Sequence, residues 1–223
     1  MNGDAEAVRA HVEAALPAPA TWMDPTGYRD SLAMCVIDSV FSLRASYSST
    51  VRVLDRYRAV RRAAGGDPDR DRLTDLLATV DEVGGPDAAA GPALFDNRTY
   101  APGTVRRGRI GVLKAAAVHD AATKLRSIGI DTIADLADRK ESAAAAWRSV
   151  RGLGSVSWAY VLMLTGADGV KADTMVRRFV AAAVKVQTVT DERARQAVED
   201  AAQLLGADAR VLDHAIWLYQ RAQ

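Results

Sequence analysis

Two short stretches carry residue types that can do chemistry. "RGLGSVSW", Arg151 to Trp158, sets Gly152 and Gly154 two apart inside an apolar chain. "VKADTMVRR", Val170 to Arg178, puts a lone Asp173 at a helix start. A very tight turn between two helices needs residues that tolerate φ > 0, and glycine does so without steric cost. Leu153 then sits between the glycines as an apolar plug. Such a turn exposes backbone N–H groups at the start of the helix opening at Ser155. With the positive end of the helix dipole they form an anion site that suits a DNA phosphate without any lysine. Gly-x-Gly by itself is a weak pattern and reads first as a plain helix–helix connection. Asp173 also has two readings. Asp is a favoured helix N-cap, and Asp173-Thr174 fits that role alone. A carboxylate near a phosphate-gripping turn can instead stabilise positive charge developing on a sugar, or orient a water toward the anomeric carbon. Cleavage of an N-glycosidic bond needs that help, because its transition state is oxocarbenium-like.

The elements that must position these residues read as helices almost throughout. "SLAMCVIDSVFSL" (Ser31 to Leu43) is apolar nearly all round, as a buried helix is. "TVRVLDRYRAVRRAA" (Thr50 to Ala64) places Val53, Leu54, Tyr57 and Val60 on one face, and Gly65-Gly66-Asp67-Pro68 ends it. A shorter helix carries Leu73, Leu76, Leu77 and Val80. A long one is expected from about Thr104 to Ser127, and Asp131 is placed to cap the next. "SAAAAWRSVRGLG" runs into the glycine pair, and "SVSWAYVLMLTG" is apolar enough for the middle of a core. Thr190 and Asp208 open the last two helices. There is no strand pair, internal repeat or low-complexity linker, so the expected fold class is all-α, with roughly ten helices.

Composition limits the options. The chain has 223 residues, 49% of them hydrophobic, enough for one sizeable core or two small lobes. One cysteine, Cys35, excludes a disulfide framework and a four-cysteine zinc or iron–sulfur site. His11, His119 and His214 lack ligand spacing, so no catalytic metal is expected. No apolar run approaches the length of a membrane span, and "MNGDAEAVRA" does not read as a signal peptide. A soluble, cytoplasmic protein is expected. The net charge of +1 argues against indiscriminate coating of nucleic acid but permits a local basic face. Arg52, Arg56, Arg61, Arg62, Arg106, Arg107 and Arg109 are its candidates, although such charge runs are usually only solvated.

Taken together, "VRGLGSVSWAYVLML…KADTMVRRF" resembles the helix-hairpin-helix, glycine/proline-rich loop and aspartate (HhH-GPD) signature of the base-excision DNA glycosylase superfamily of endonuclease III, MutY and AlkA. Gly152, Leu153 and Gly154 match its hairpin. Asp173 and Thr174 match its catalytic pair, Val176 the next apolar position and Arg178 the arginine. The resemblance extends more loosely from about Tyr28 to Arg221. It implies two helical lobes with a DNA-binding cleft between them: residues 28–165 as a barrel-like lobe with the hairpin, and 1–27 plus 166–223 as the lobe carrying the catalytic Asp173. It implies a phosphate grip by Gly152, Leu153, Gly154, Ser155 and Val156, with a monovalent cation (Na+ or K+) on the hairpin carbonyls.

Four departures bear on the activity. Val156 stands at the family's lyase-lysine position, and a Schiff-base lyase needs an amine there. The match therefore implies a monofunctional glycosylase that leaves an abasic site. Lys171 is the nearby amine and reads as a phosphate contact or a solvated charge. The C-terminal cysteine cluster is missing, so no iron–sulfur centre is implied. Arg151 replaces the hairpin proline, and Met175 stands where endonuclease III has histidine.

A glycosylase must turn its target base out of the duplex and fill the gap. In the family the loop after the first barrel helix does so, which implicates Leu43, Arg44 and Tyr47 in "SLRASYSST" as wedge or base contacts. Trp22 can stack on a flipped base or simply pack. Trp158 and Trp217 read as core. Asp38 interrupts an otherwise buried helix, and a buried carboxylate requires a partner or a role. The expected partner is double-stranded DNA, bound by a nucleoid-associated monomer that uses no cofactor. A non-catalytic helix-hairpin-helix DNA-binding protein is the alternative, and excision of modified bases from phage DNA is an alternative biological role.

Overall fold

The computed structural model describes residues 3–23, 27–105, 111–166 and 170–223. Among these residues the protein is all-helical: α1 (Gly3–Ala15), α2 (Leu32–Phe41), α3 (Tyr47–Ala63), α4 (Leu73–Glu82), α5 (Pro86–Ala89), α6 (Lys114–Ser127), α7 (Ile133–Asp138), α8 (Lys140–Arg148), α9 (Ser155–Leu164), α10 (Thr174–Ala183), α11 (Asp191–Leu205) and α12 (Ala209–Arg221). An isolated antiparallel bridge joins Tyr100 and Leu113. The chain separates into two compact units, Tyr28–Thr165 and Met1–Gly27 with Gly166–Gln223.

In the unit of residues 28–165, α2 is central, and all ten of its residues are buried. Ser31 caps it, accepting the Met34 N–H, and its hydroxyl donates to the Asp71 carbonyl. Ser39 binds α2 to α9 by donating to the Ser157 carbonyl at 2.7 Å. Asp71 organises the polar part of this core. Arg61 grips it with two N–H groups at 2.6 and 2.8 Å, and the Tyr57 hydroxyl donates to it at 2.7 Å. That environment, chiefly burial, pushes the Tyr57 hydroxyl far above the usual phenol range.

In the other unit, α10, α11 and α12 pack with α1 around Val8, Val12, Val176, Phe179, Val180, Val198, Leu212 and Ile216. Thr190 caps α11 and Asp208 caps α12, as the sequence predicts. Arg193 on α11 joins Asp4 on α1 through two N–H groups at 2.6 and 2.9 Å.

Three sequence expectations change. The long helix begins at Lys114, not near Thr104. Thr104 is buried in a turn in which its hydroxyl donates to the Ala101 carbonyl and accepts the Val112 N–H. Asp131 does not cap α7; Thr132 does, in a capping box with Asp135. Asp131 instead accepts the Thr74 N–H at the start of α4, 57 residues away in sequence. Trp217 is half-buried, not core, and stacks on His214 beneath Arg221. Among the described residues no helix is long and apolar enough to cross a membrane.

Candidate active site

Asp173 is the N-cap of α10. Its Oδ1 accepts the N–H groups of Met175 at 2.8 Å and Val176 at 3.1 Å. The positive end of a ten-residue helix therefore faces the carboxylate. Its Oδ2 receives no hydrogen bond among the described residues, and the residue is half-buried. One oxygen is fixed and the other is open, which suits both capping and chemistry.

The segment leading to Asp173 is anchored on both sides. Val170 and Ala172 are buried in the unit's core. Between them, the Lys171 N–H donates to Oδ1 of Asp213 at 3.0 Å, and the Lys171 carbonyl accepts the Asp173 N–H at 2.6 Å. Asp213 comes from α12 and is 3% exposed. Burial, helped by the Asp173 charge, pushes its carboxyl well above the usual carboxylate range, against an opposing pull from Lys171. Sequence reasoning missed Asp213. Its signal was an acid within the apolar stripe of Leu212, Ala215 and Ile216.

The hairpin joins α8 to α9. Gly152 has φ +94°, and a Cβ there would lie 2.6 Å from the Ala101 Cβ and 2.9 Å from the Thr104 methyl. Leu153 is buried, and its N–H donates to the Val150 carbonyl. Ser157 locks the helix start: its hydroxyl accepts the Gly154 and Trp147 Nε1–H groups and donates to the Gly154 carbonyl. Arg151, in place of a proline, donates to the Thr104 carbonyl at 2.7 Å. The amides of Ser155 and Val156 find no acceptor among the described residues, and Ser155 is exposed. They are what an anion would meet. The carbonyls of Arg151, Gly152 and Leu153 accept no hydrogen bond among the described residues, and they are the donor type a monovalent cation takes. No group of three or more His, Cys, Asp or Glu residues able to hold a metal occurs among those residues.

Asp38 does find partners. The Tyr28 hydroxyl donates to its Oδ2 at 3.0 Å and the Ser42 hydroxyl to its Oδ1 at 2.7 Å. Tyr160 and Tyr47 belong to the same cluster. Burial, and then the Asp38 charge, raise the Tyr160 hydroxyl well above the phenol range, with a smaller effect from Tyr47. Tyr47 is 42% exposed at the start of α3. Arg44 is exposed at φ +50°, a backbone state that residues other than glycine seldom adopt. Leu43 is half-buried, and its carbonyl accepts the Lys114 ammonium at 2.6 Å; the Phe41 carbonyl does so at 3.0 Å. Sequence reasoning did not foresee that buried lysine, whose pKa desolvation pushes down to about 8. In the other unit, Trp22 packs against the hydrophobic core and donates its indole N–H to the Pro17 carbonyl at 2.8 Å.

The proposed basic face is largely spoken for. Arg61 is committed to Asp71, Arg62 pairs with Asp69, and Arg56 binds the Leu94 and Pro92 carbonyls. Arg52 is exposed. Arg106, Arg107 and Arg109 lie outside the described residues.

The chain belongs to the family described as a domain of unknown function (DUF8548), whose profile matches residues 6–221. No curated protein and no solved structure matches it.

Proposed function

We propose that this protein is a monofunctional DNA glycosylase, which hydrolyses the N-glycosidic bond of a base turned out of the duplex and leaves an abasic site. The observation that carries the reading is Asp173, a carboxylate with one oxygen fixed on a helix N-terminus and the other open. As the C1′–N bond breaks, positive charge develops on the deoxyribose, and the open oxygen stabilises it. The same oxygen takes a proton from the water whose oxygen bonds to C1′, and the departing base leaves with the bonding electron pair. Val156, at the first turn of α9, offers no amine, so a Schiff base is not formed there.

The amides of Ser155 and Val156, which find no acceptor among the described residues, hold a backbone phosphate of double-stranded DNA, with a monovalent cation on the neighbouring carbonyls. Leu43, Arg44 and Tyr47 are the candidates for filling the gap in the duplex, and Asp38 with its tyrosines for contacting the base. Lys171 contributes a positive charge for a phosphate. The protein acts as a monomer without an organic cofactor.

The test is mass spectrometry of free bases released from panels of alkylated, deaminated, oxidised and phage-modified DNA, under single-turnover conditions. Wild type is expected to release at least one base, and Asp173→Asn to bind the same DNA but release about 100-fold less. Equal release by Asp173→Asn would sink the mechanism. DNA binding with no base released from any substrate would make the protein a non-catalytic helix-hairpin-helix module, a reading that the free hairpin amides also support.

A further inference from the structure

A buried carboxylate on a helix is an unusual anchor for the peptide of a non-helical segment, because a carboxylate is costly to desolvate. Here the anchor leads directly to the reacting group. Oδ1 of Asp213 on α12 accepts the Lys171 N–H at 3.0 Å, the Lys171 carbonyl accepts the Asp173 N–H at 2.6 Å, and Asp173 accepts the Met175 and Val176 amides of α10. Val170 and Ala172, on either side of Lys171, face the core, so Lys171 has its peptide turned toward α12 while its neighbours are packed. Asp213 itself is 3% exposed, on a helix whose Leu212 and Ile216 are in the same core.

We infer that Asp213 is a positioning residue for Asp173: from α12 it fixes the Lys171 peptide, and through that peptide the backbone that aims the Asp173 carboxylate. This rests on the reading of Asp173 as the reacting group. A side-chain acceptor on a long helix holds the segment to the rigid part of the unit, where misplacement of a reacting group by about 1 Å can cost on the order of 100-fold in rate. The protonation behaviour of Asp213 agrees. Burial and the Asp173 charge both raise the proton affinity of the Asp213 carboxyl, against an opposing pull from Lys171. An amide can therefore replace it, since the carboxamide oxygen still accepts the Lys171 N–H and brings no charge.

The test uses the full chain with Asp213→Asn and Asp213→Val, reading backbone amide exchange at Lys171 and Asp173, DNA affinity and single-turnover base release. In Asp213→Asn all three are expected to stay within about threefold of wild type. In Asp213→Val both amides are expected to exchange at least about tenfold faster and base release to fall by a similar factor, with DNA affinity reduced by less, since Lys171 is one phosphate contact among several. If Asp213→Val does not fold, Asp213→Ser, whose hydroxyl is too short to reach, takes its place. Unchanged exchange in the valine variant overturns the inference, as does faster exchange with unaltered base release. If wild type releases no base, the glycosylase reading fails separately. The positioning role is then decided by the Asp173 amide and its carboxyl carbon resonance, which must move in Asp213→Val and stay in Asp213→Asn.

Discussion

The two hairpin glycines answer to different demands, and substituting each by alanine separates fold from function. Gly152 sits at φ +94°, where an L-residue costs about 1–2 kcal/mol. Its new methyl would also approach Ala101 Cβ at 2.6 Å and the Thr104 methyl at 2.9 Å, with the Pro102 carbonyl at 3.4 Å on the same side. Overpacking of that kind costs about 1–3 kcal/mol, for a total of about 2–5 kcal/mol. At about 2–4 °C per kcal/mol for a chain of this size, Gly152→Ala should lower Tm by roughly 4–20 °C. Gly154 is the opposite case. Its φ of −141° and ψ of −166° are extended backbone that alanine adopts, and an added Cβ meets nothing within 4 Å. Nothing among the described residues requires glycine there, so Gly154→Ala should leave stability within about 0.5 kcal/mol of wild type. A phosphate seated on the Ser155 and Val156 amides does require the space. Gly154→Ala should therefore weaken binding of a fluorescent duplex about fivefold or more at fixed salt, a loss of about 1 kcal/mol. Calorimetry and fluorescence anisotropy on both variants suffice. Wild-type DNA affinity in Gly154→Ala would refute the hairpin as the grip, and a Tm loss as large as that of Gly152→Ala would refute the packing argument.

Asp173→Asn should keep the α10 cap, because Asn is as good an N-cap as Asp, whereas Asp173→Ala should lose about 1 kcal/mol by denaturant titration. Both should lose base release, and a stability loss in Asn equal to that in Ala would deny the cap its role. Asp71→Asn should cost about 3–5 kcal/mol, since it leaves the Arg61 guanidinium without its buried carboxylate; a loss below about 1 kcal/mol would mean the pair is solvated. The Lys114 ammonium gives a pH signature. Its folded pKa of about 8 lies below that of the unfolded chain, about 10.4, so between those values the unfolded state binds the extra proton. The stability of wild type relative to Lys114→Met should accordingly rise with pH across that window and be level below it. A flat difference from pH 7 to 10 would place the amine in water.

The helical class was legible because apolar periodicity and cap residues agree: Ser31, Asp173, Thr190 and Asp208 each cap the helix that follows them. Local rules failed where a residue's partner is distant. Asp131 has the right type to cap α7, but Thr132 and Asp135 close that helix by themselves, which frees Asp131 to serve α4. The expected helix start near Thr104 failed for a related reason. Thr104 satisfies Ala101 and Val112 locally, and the Ala101 N–H goes to the Val112 carbonyl, so these residues pair their backbone outside any helix.

The candidate site was half legible, and the missing half follows from how charge is hidden. Asp38 and Asp213 are both acids buried on helices, and burial charges each of them for lost water. Asp38 drew notice because every neighbour on α2 is apolar or small. Asp213 is preceded by the cap Asp208 and by Arg210 and followed by His214 and Arg221, so the sequence reads as a polar face with one more acid in it. Only the helix phase distinguishes them, and it places Asp213 with Leu212 and Ile216 inside the core. The two acids then meet the same cost by different chemistry. Asp38 takes hydroxyl donors from Tyr28 and Ser42, a solution built from nearby side chains. Asp213 takes a backbone N–H from Lys171 and a raised proton affinity, a solution that depends on a peptide 42 residues away and on the charge of Asp173. A partner that is a backbone amide has no residue type to betray it, so the tie of Asp213 to Lys171 could be found only once the chain was folded.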